Sequence, residues 1–255
     1  MFELTQAAVA VRQRTLLHPF DGQFLPDRFY GLLGHNGSGK STLIRLLARE
    51  LAPSQGTLRC QGRALTDWSV RDFARQVAYL PQHTPALDDH TRVRDLVALG
   101  RYPWCGLLGR LQPHDHALID QALADTQMQD DADRTVASLS GGERQRAWLA
   151  VLLAQQSPFL LMDEPLAALD IAHQVDVMAL VQRLVRERGL GVVMVIHDIN
   201  LAARYCDELL ALRQGRLVFQ GSPQDLMTPA QLEAIYGVRM QVVPHPGHAV
   251  PVAFV

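Results

Sequence analysis

The residues best suited to chemistry stand together in one stretch, Gly34 to Ser41, which reads GHNGSGKS. Two glycines bracket four positions, and a lysine and a hydroxyl residue follow directly. This spacing suits a phosphate cradle. Gly34, Gly37 and Gly39 leave the backbone bare, so that its N–H groups, with those of His35, Asn36 and Ser38, can wrap an anion. Lys40 then reaches the terminal phosphates, and the Ser41 hydroxyl, followed by Thr42, is placed to hold Mg²⁺. The plainer alternative is a glycine-rich turn between a strand and a helix.

A second pair is Asp163 and Glu164, directly after the apolar run FLLM and before Pro165. In an open parallel sheet, ligands bind beyond the carboxyl ends of the strands. Asp163 fits the Mg²⁺ partner of Ser41, and Glu164 is then placed to orient or polarise a water that attacks a γ-phosphate. Here too a bland reading exists, in which the two acids cap the next helix. A third stretch, Leu139 to Arg146, reads LSGGERQR. Ser140 and Glu143 stand three apart and spell a capping box. A cap alone does not account for Gly141 and Gly142, because each glycine costs about 1 kcal/mol in a helix relative to alanine. Bare backbone at a helix start is what a second anion site requires.

Elements must hold these residues in place. Phe29 to Leu33 (FYGLL) is a short apolar run suited to a buried strand, and Lys40 to Leu51 carries Leu43, Ile44, Leu47 and Leu51 at helical spacing, closed by Pro53. The segment before Leu33 reads as strands with turn signals at Asp21-Gly22 and Pro26-Asp27. Gly56 to Leu65 reads as a hairpin around Gly62, Trp68 to Ala74 as a short helix, and Gln76 to Leu80 as a strand. Residues 85–157 hold mostly helical patterns, broken at Tyr102-Pro103-Trp104, and are expected to form an inserted helical subdomain within a single 1–255 domain. Phe159 to Met162 and Val192 to Ile196 are apolar on every side, as central parallel strands are, with a helix over Ala172 to Glu187 between them. Glu208 to Gln220 reads as a hairpin turned at Gln214-Gly215, and the tail from Pro244 shows no period. Strands alternating with helices predict a doubly wound α/β sheet.

Composition narrows the function. The chain has 255 residues, 48% of them hydrophobic, enough for a large core. A net charge of −2 gives no basic bias and argues against nucleic acid as the main partner. Cys60, Cys105 and Cys206 are scattered, which suggests reduced thiols rather than a disulfide frame or a zinc site. The start of the chain lacks the build of a signal peptide, and no apolar run approaches the length of a spanning helix.

LSGGERQR resembles the signature motif of the ATP-binding cassette (ABC) ATPases, and the other motifs fall in that family's order. Gly34 to Ser41 is similar to its Walker A loop and Phe159 to Glu164 to its Walker B. Gln82 resembles the loop glutamine that touches Mg²⁺ and faces a membrane partner. Ala168-Leu169-Asp170 resembles the end of the D-loop, and His197 the switch histidine that senses the γ-phosphate. The resemblance covers essentially the whole chain and is nearest to ATPases of iron–siderophore, haem and cobalamin importers. LVALGRYPW (96–104), DIAHQVDVMALVQRL (170–184) and HDINLAARYCDELLALR (197–213) look particularly like the ferric-hydroxamate import ATPase.

The resemblance implies a phosphate-loop NTPase core with an N-terminal antiparallel β segment and the helical insertion. It also implies ATP and Mg²⁺ as cofactors, with Glu164, His197 and Gln82 in catalysis. Two copies would form a head-to-tail homodimer, in which Ser140, Gly141, Gly142 and Asp170 of one close on the nucleotide of the other. That dimer would dock on a polytopic permease, served by a substrate-binding protein, at the cytoplasmic face of the inner membrane. A soluble ABC protein of translation or DNA repair fits less well, since there is one phosphate loop and no heptad run between Thr42 and Ser138.

Two departures from the family pattern stand out. VAVRQR (9–14) offers no aromatic to stack on adenine, leaving Arg12 or Arg14 as the planar group, and the D-loop reads LAALD, with Leu166 and Ala167 where Thr and Ser are usual. The histidine pairs His114/His116 and His245/His248 lack further ligands nearby and read as solvated loop residues.

Overall fold

The computed structural model describes residues 1–255 apart from Gln13, Ala86, Leu107, Leu108 and His248, and every structural statement below concerns the described residues. One of the two tail histidines, His248, therefore lies outside them. The chain opens with β1 (Phe2–Val11) and β2 (Arg14–Phe24), an antiparallel pair that reverses near Arg12, whose φ is 55°. Asp21-Gly22, expected as a turn, lies inside β2. The register slips between the pairs Leu4–Gly22 and Ala7–Phe20, and Asp21 accepts hydrogen bonds from the backbone N–H (2.9 Å) and the side-chain amide of Gln6. The turn signal therefore marks a bulge. Pro26-Asp27 does turn, with Asp27 at φ 59°, and leads into β3 (Phe29–Leu33).

The phosphate-loop segment follows, then α1 (Lys40–Leu47), β4 (Gln55–Cys60), β5 (Arg63–Ala64), α2 (Val70–Ala74) and β6 (Val77–Leu80). Two helices differ from expectation. α1 stops short of Leu51, because Arg49 takes the left-handed conformation at φ 63° and ends the turn. α2 begins at Val70 rather than Trp68, since the Ser69 hydroxyl accepts the Asp72 N–H and fixes the cap there. Next come α3 (Val93–Ala98), α4 (Tyr102–Cys105), α5 (Pro113–Asp125) and α6 (Gly141–Ala154). Tyr102-Pro103-Trp104 is a helical turn rather than a break, with Pro103 in the first turn, where its missing N–H costs nothing.

The remaining elements are β7 (Phe159–Met162), α7 (Ile171–Arg188), β8 (Gly191–Val195), α8 (Ile199–Tyr205), β9 (Glu208–Arg213), β10 (Arg216–Gly221), α9 (Pro223–Leu226), α10 (Pro229–Tyr236), β11 (Gln241–Val243) and β12 (Val252–Phe254). β9 and β10 reverse at Gln214-Gly215 (φ 50° and 75°), both left-handed as a two-residue hairpin turn requires. The tail from Pro244 is more ordered than its sequence suggests. β12 pairs antiparallel with β11, and three residues are too few to show a period.

The main sheet has the order β10-β9-β3-β8-β7-β6 and is parallel from β9 to β6; β2-β1-β4-β5 form a separate antiparallel sheet. Alternation along the central strands feeds two cores. Phe159, Leu161, Val193 and Val195 point toward α1 and the antiparallel sheet, whereas Leu160, Met162, Val192 and Met194 point toward α7 and the helices between β6 and β7. α1 contributes Leu43, Ile44, Leu46 and Leu47 to the first core, all fully buried. That burial fixes the start of α1, and so the phosphate loop, against the carboxyl ends of the strands.

A polar knot holds α4. The side chains of Arg101 and Asp115 are 3% and 1% exposed and meet at 2.8 Å; Arg101 also donates to Ala154 O, and Cys105 Sγ donates to Asp115. The Trp104 ring lies beside the guanidinium groups of Arg75 and Arg101, at 4.8 and 5.4 Å, and its Nε1–H donates to Gln155 O at 2.7 Å.

Candidate functional site

The loop between β3 and α1 owes its shape to its glycines. Gly34 has φ 131°, and a Cβ there would lie 2.1 Å from the Leu212 carbonyl oxygen; Gly39 has φ 108° and passes close to Leu16 O. No side chain caps α1 and no acid stands in its first turn, so the open N–H groups of the helix start face outward with its partial positive charge. Lys40 is the only lysine of the chain. It is buried and curls back to donate to Gly34 O (2.7 Å) and His35 O (2.9 Å). Burial pulls its pKa below the ordinary lysine value, and the nearby carboxylates of Glu164 and Asp163 oppose this.

Three strand ends deliver the other groups to the same place. Asp163 follows β7, and its Oδ1 accepts from Ser41 Oγ at 3.1 Å. Burial raises the Asp163 pKa above the usual carboxylate range, the Ser41 hydrogen bond opposes the shift, and the charge of Glu164 adds to it. Glu164 sits at φ 52°, a left-handed backbone that a non-glycine residue rarely adopts. Its carboxylate is fixed from two sides: Gln82, beyond β6, donates Nε2–H to Oε2 at 2.9 Å, and His197 Nε2 lies 3.0 Å from Oε1.

A cavity of about 600 Å³ opens over the loop. Asn36, Gly37, Gly39, Lys40, Ser41 and Thr42 line one end, together with Gln82 and Glu164, and Arg14, Thr15, Leu16, Gln214 and Gly215 line the other. Of the two arginines considered for the base, Arg14 lines the cavity and Arg12 does not. Gln214 and Gly215 went unnoticed as site residues because the sequence marks them only as a turn. That turn folds back on the loop, with Gly215 N–H donating to Ser38 O (2.8 Å) and Gly215 O accepting from His18 N–H (2.7 Å).

Other expected residues lie off the cavity wall. Gly34 and Ser38 are buried beneath it, His35 turns away to the Tyr236 carbonyl, and Asp163 and His197 reach it through Ser41 and Glu164. Ser140, Gly141, Gly142 and Asp170 form a second cluster. Ser140 and Glu143 complete the capping box of α6, and the Ser140 N–H bond holds the Glu143 carboxyl below its ordinary pKa. Asp170 caps α7 and pairs with His173 Nδ1 at 2.8 Å, while the His173 ring packs so closely on Gly142 that a Cβ would lie 2.3 Å from it. The glycines of LSGG thus make room for α7 as well as baring a helix start.

The chemistry of the donors suits Mg²⁺. This cation takes one or two carboxylates and keeps phosphate oxygens and waters as its remaining ligands. Ser41 and Asp163 bring a hydroxyl and a carboxylate to one point, and the buried Asp163 carboxylate gains from a cation beside it. Among the described residues, no group of three or more His, Cys, Asp or Glu side chains could hold a metal by itself. A cation arriving with a phosphate ligand fits that arrangement.

A glycine cradle at a helix start, a histidine at the end of the neighbouring strand β8 and acids one strand further, at the end of β7, define a phosphate-loop ATPase core. The family description "ABC transporter" matches residues 17–167, and the chain belongs to that family. It is 40% identical over 228 residues to the ferric enterobactin transport ATP-binding protein FepC of Escherichia coli (strain K12), covering 89% of this chain and 84% of the relative. It is 36% identical over 247 residues to the iron(3+)-hydroxamate import ATP-binding protein FhuC of Bacillus subtilis (strain 168), covering 97% and 91%. A dimeric, post-hydrolysis structure of the ATP-binding cassette MJ0796 with ADP and phosphate shares the fold, with a TM-score of 0.75 at 22% identity over 88% of this chain and 99% of that one. The chain is accordingly an ABC-type ATPase.

Proposed function

We propose that this chain is the energy-coupling subunit of an iron–siderophore importer, with ferric hydroxamates as the first cargo to test. One observation carries the catalytic part: Glu164 is held by Gln82 and His197 at the rim of a cavity whose floor is Lys40, Ser41 and the start of α1. ATP would lay its phosphates over the loop, where the N–H groups of residues 34–42 and the Lys40 ammonium take up their charge. Glu164 orients a water. The water oxygen bonds to the γ-phosphorus as the bond to the β–γ bridging oxygen breaks, and the water's proton passes toward the Glu164 carboxylate. His197 holds Glu164 and the γ-phosphate region in register. Ser41 and Asp163, with Gln82, would hold Mg²⁺, which when bound would supply charge neutralisation on the phosphates.

Ser140, Gly141 and Gly142 do not line this cavity, and the chain has no second lysine, so a second copy is the natural source of the closing surface. In a head-to-tail homodimer these residues and Asp170 of one copy would complete the site of the other. Residues 85–157 are read as the helical subdomain that carries this surface and the face toward the permease. Tyr102 and Trp104 remain 48% and 38% exposed beside it and suit a membrane partner, since aromatics anchor such interfaces. Among the described residues no helix is long and apolar enough to cross a membrane. Docking beneath a polytopic permease at the cytoplasmic face of the inner membrane, with a substrate-binding protein acting on the far side, fits the transport and import names of FepC and FhuC.

Deleting the gene and offering ferric hydroxamates, haem or cobalamin as sole source tests the cargo. Growth should fail on the hydroxamate and return with the intact gene but not with Lys40→Ala. Normal growth on the hydroxamate with failure on haem or cobalamin would reassign the cargo.

A further inference from the structure

The carboxyl-terminal segment touches the nucleotide machinery at two separate points. At its first, Tyr236 ends α10. Its carbonyl oxygen lies 2.7 Å from Nε2 of His35 in the phosphate loop, and the two rings meet edge to face with centroids 5.6 Å apart. The Tyr236 hydroxyl is buried without a hydrogen-bond partner among the described residues. Burial, with the charge of Asp198 in addition, pushes this phenol up to about 12. α10 is itself tied to β9, where Arg213 Nη1–H donates to Ala234 O at 2.5 Å.

At the second point, β12 grips α8. Asn200 Nδ2–H donates to Ala253 O at 3.0 Å, and Asn200 Oδ1 accepts the Ala253 N–H at 2.9 Å, a two-bond match of side-chain amide to backbone. Asp198 meanwhile caps α8 by accepting the N–H groups of Asn200 (2.7 Å) and Leu201 (3.0 Å). His197 is thus bracketed: Glu164 holds its ring, and the helix that starts beside it is held by β12.

Nothing in the hydrolysis scheme uses α10 or β12, yet α10 bonds to the phosphate loop and β12 to the His197 helix. We infer that this segment is a positioning element, which through Tyr236 and through the grip of Ala253 on Asn200 fixes the phosphate loop and His197 relative to each other for turnover. The inference rests on the role given to His197 above. Packing alone would make the segment matter for stability only. A positioning role makes it matter for kcat, because a misplacement of about 1 Å can cost about a hundredfold in rate.

The test is steady-state phosphate release by the full-length chain with Mg²⁺ and ATP, alongside thermal melts. Asn200→Ala, which removes both bonds to Ala253, should lower kcat about tenfold and leave the KM for ATP within about twofold. Tyr236→Leu should do the same, whereas Tyr236→Phe, which keeps the ring and loses only the unpartnered hydroxyl, should stay within about twofold of the parent. The Asn200→Ala/Tyr236→Leu double variant should fall no further than about the worse single one, because both disconnect one element. A lowered Tm with unchanged kcat in Asn200→Ala would overturn the inference, as would a double variant whose loss is the product of the two singles. His197→Ala separates this from the underlying reading. If it abolishes turnover while Asn200→Ala leaves kcat unchanged, the positioning role fails and the catalytic reading stands; full turnover in His197→Ala removes the catalytic reading itself.

Discussion

His197 Nε2 stands 3.0 Å from Glu164 Oε1, across the gap between the ends of two neighbouring parallel strands. The two residues are 33 positions apart in the sequence and come together because β7 and β8 pair in parallel with Met162 beside Met194. His197→Ala should therefore lose turnover by roughly a hundredfold or more, the usual scale for a group acting in proton transfer or its alignment. Equilibrium binding of ATP should change by less than about threefold, since His197 does not line the cavity floor. A variant that loses binding and turnover together would move His197 from the reaction to the binding of the ground state.

Among the described residues, the far end of the cavity has no aromatic wall. Arg14, Leu16 and Gln214 stand there instead, and stacking on an aromatic, worth about 1–3 kcal/mol per base, is missing. Competition binding should give ATP and GTP affinities within about a hundredfold of each other. Arg14→Ala should weaken both by similar factors, and a larger preference for one base would show a selective contact at this end.

The buried pair Arg101–Asp115 should set much of the stability of the helical part. Asp115→Ala leaves the guanidinium of Arg101 in the interior without its partner, a change that costs about 3–5 kcal/mol in buried pairs. Burial alone would raise the Asp115 pKa, but the Gln112 N–H, Arg101 and Cys105 outweigh it and hold the carboxyl down to about 2. With the folded value below the unfolded one, the contribution is present above the ordinary carboxylate range and is lost as pH falls through about 2. Chemical denaturation of parent and Asp115→Ala should differ at neutral pH and converge in strong acid.

Assembly is tested by charge. Glu164→Gln with Mg²⁺ and ATP should sediment as a dimer, and adding Ser140→Arg should return it to monomer by setting a cation in the closing surface. Dimerisation that survives Ser140→Arg would place the contact elsewhere.

Much of this was legible in the sequence, for physical reasons. The phosphate loop, the acids after FLLM and the LSGG cap are local patterns, and the doubly buried strands announce themselves as unbroken apolar runs. Three things were not legible. Asp21-Gly22 looks like a turn but forms a bulge, because the Asp21 carboxylate finds the Gln6 N–H across the strand pair. α1 ends at Leu47 although Leu51 keeps the helical spacing, because Arg49 turns left-handed. The return of Gln214-Gly215 and of the tail onto the site depends on contacts between residues far apart in sequence, such as His35 with Tyr236, 201 positions apart; no local pattern encodes these.

The most direct measurement is phosphate release from Mg²⁺ and ATP by Glu164→Gln beside the parent chain. The glutamine keeps the shape and the hydrogen bond from Gln82 but cannot take a proton from water. Turnover should drop by at least about a hundredfold while ATP remains bound. Turnover within about threefold of the parent, with ATP binding unchanged, would contradict Glu164 as the residue that activates the water.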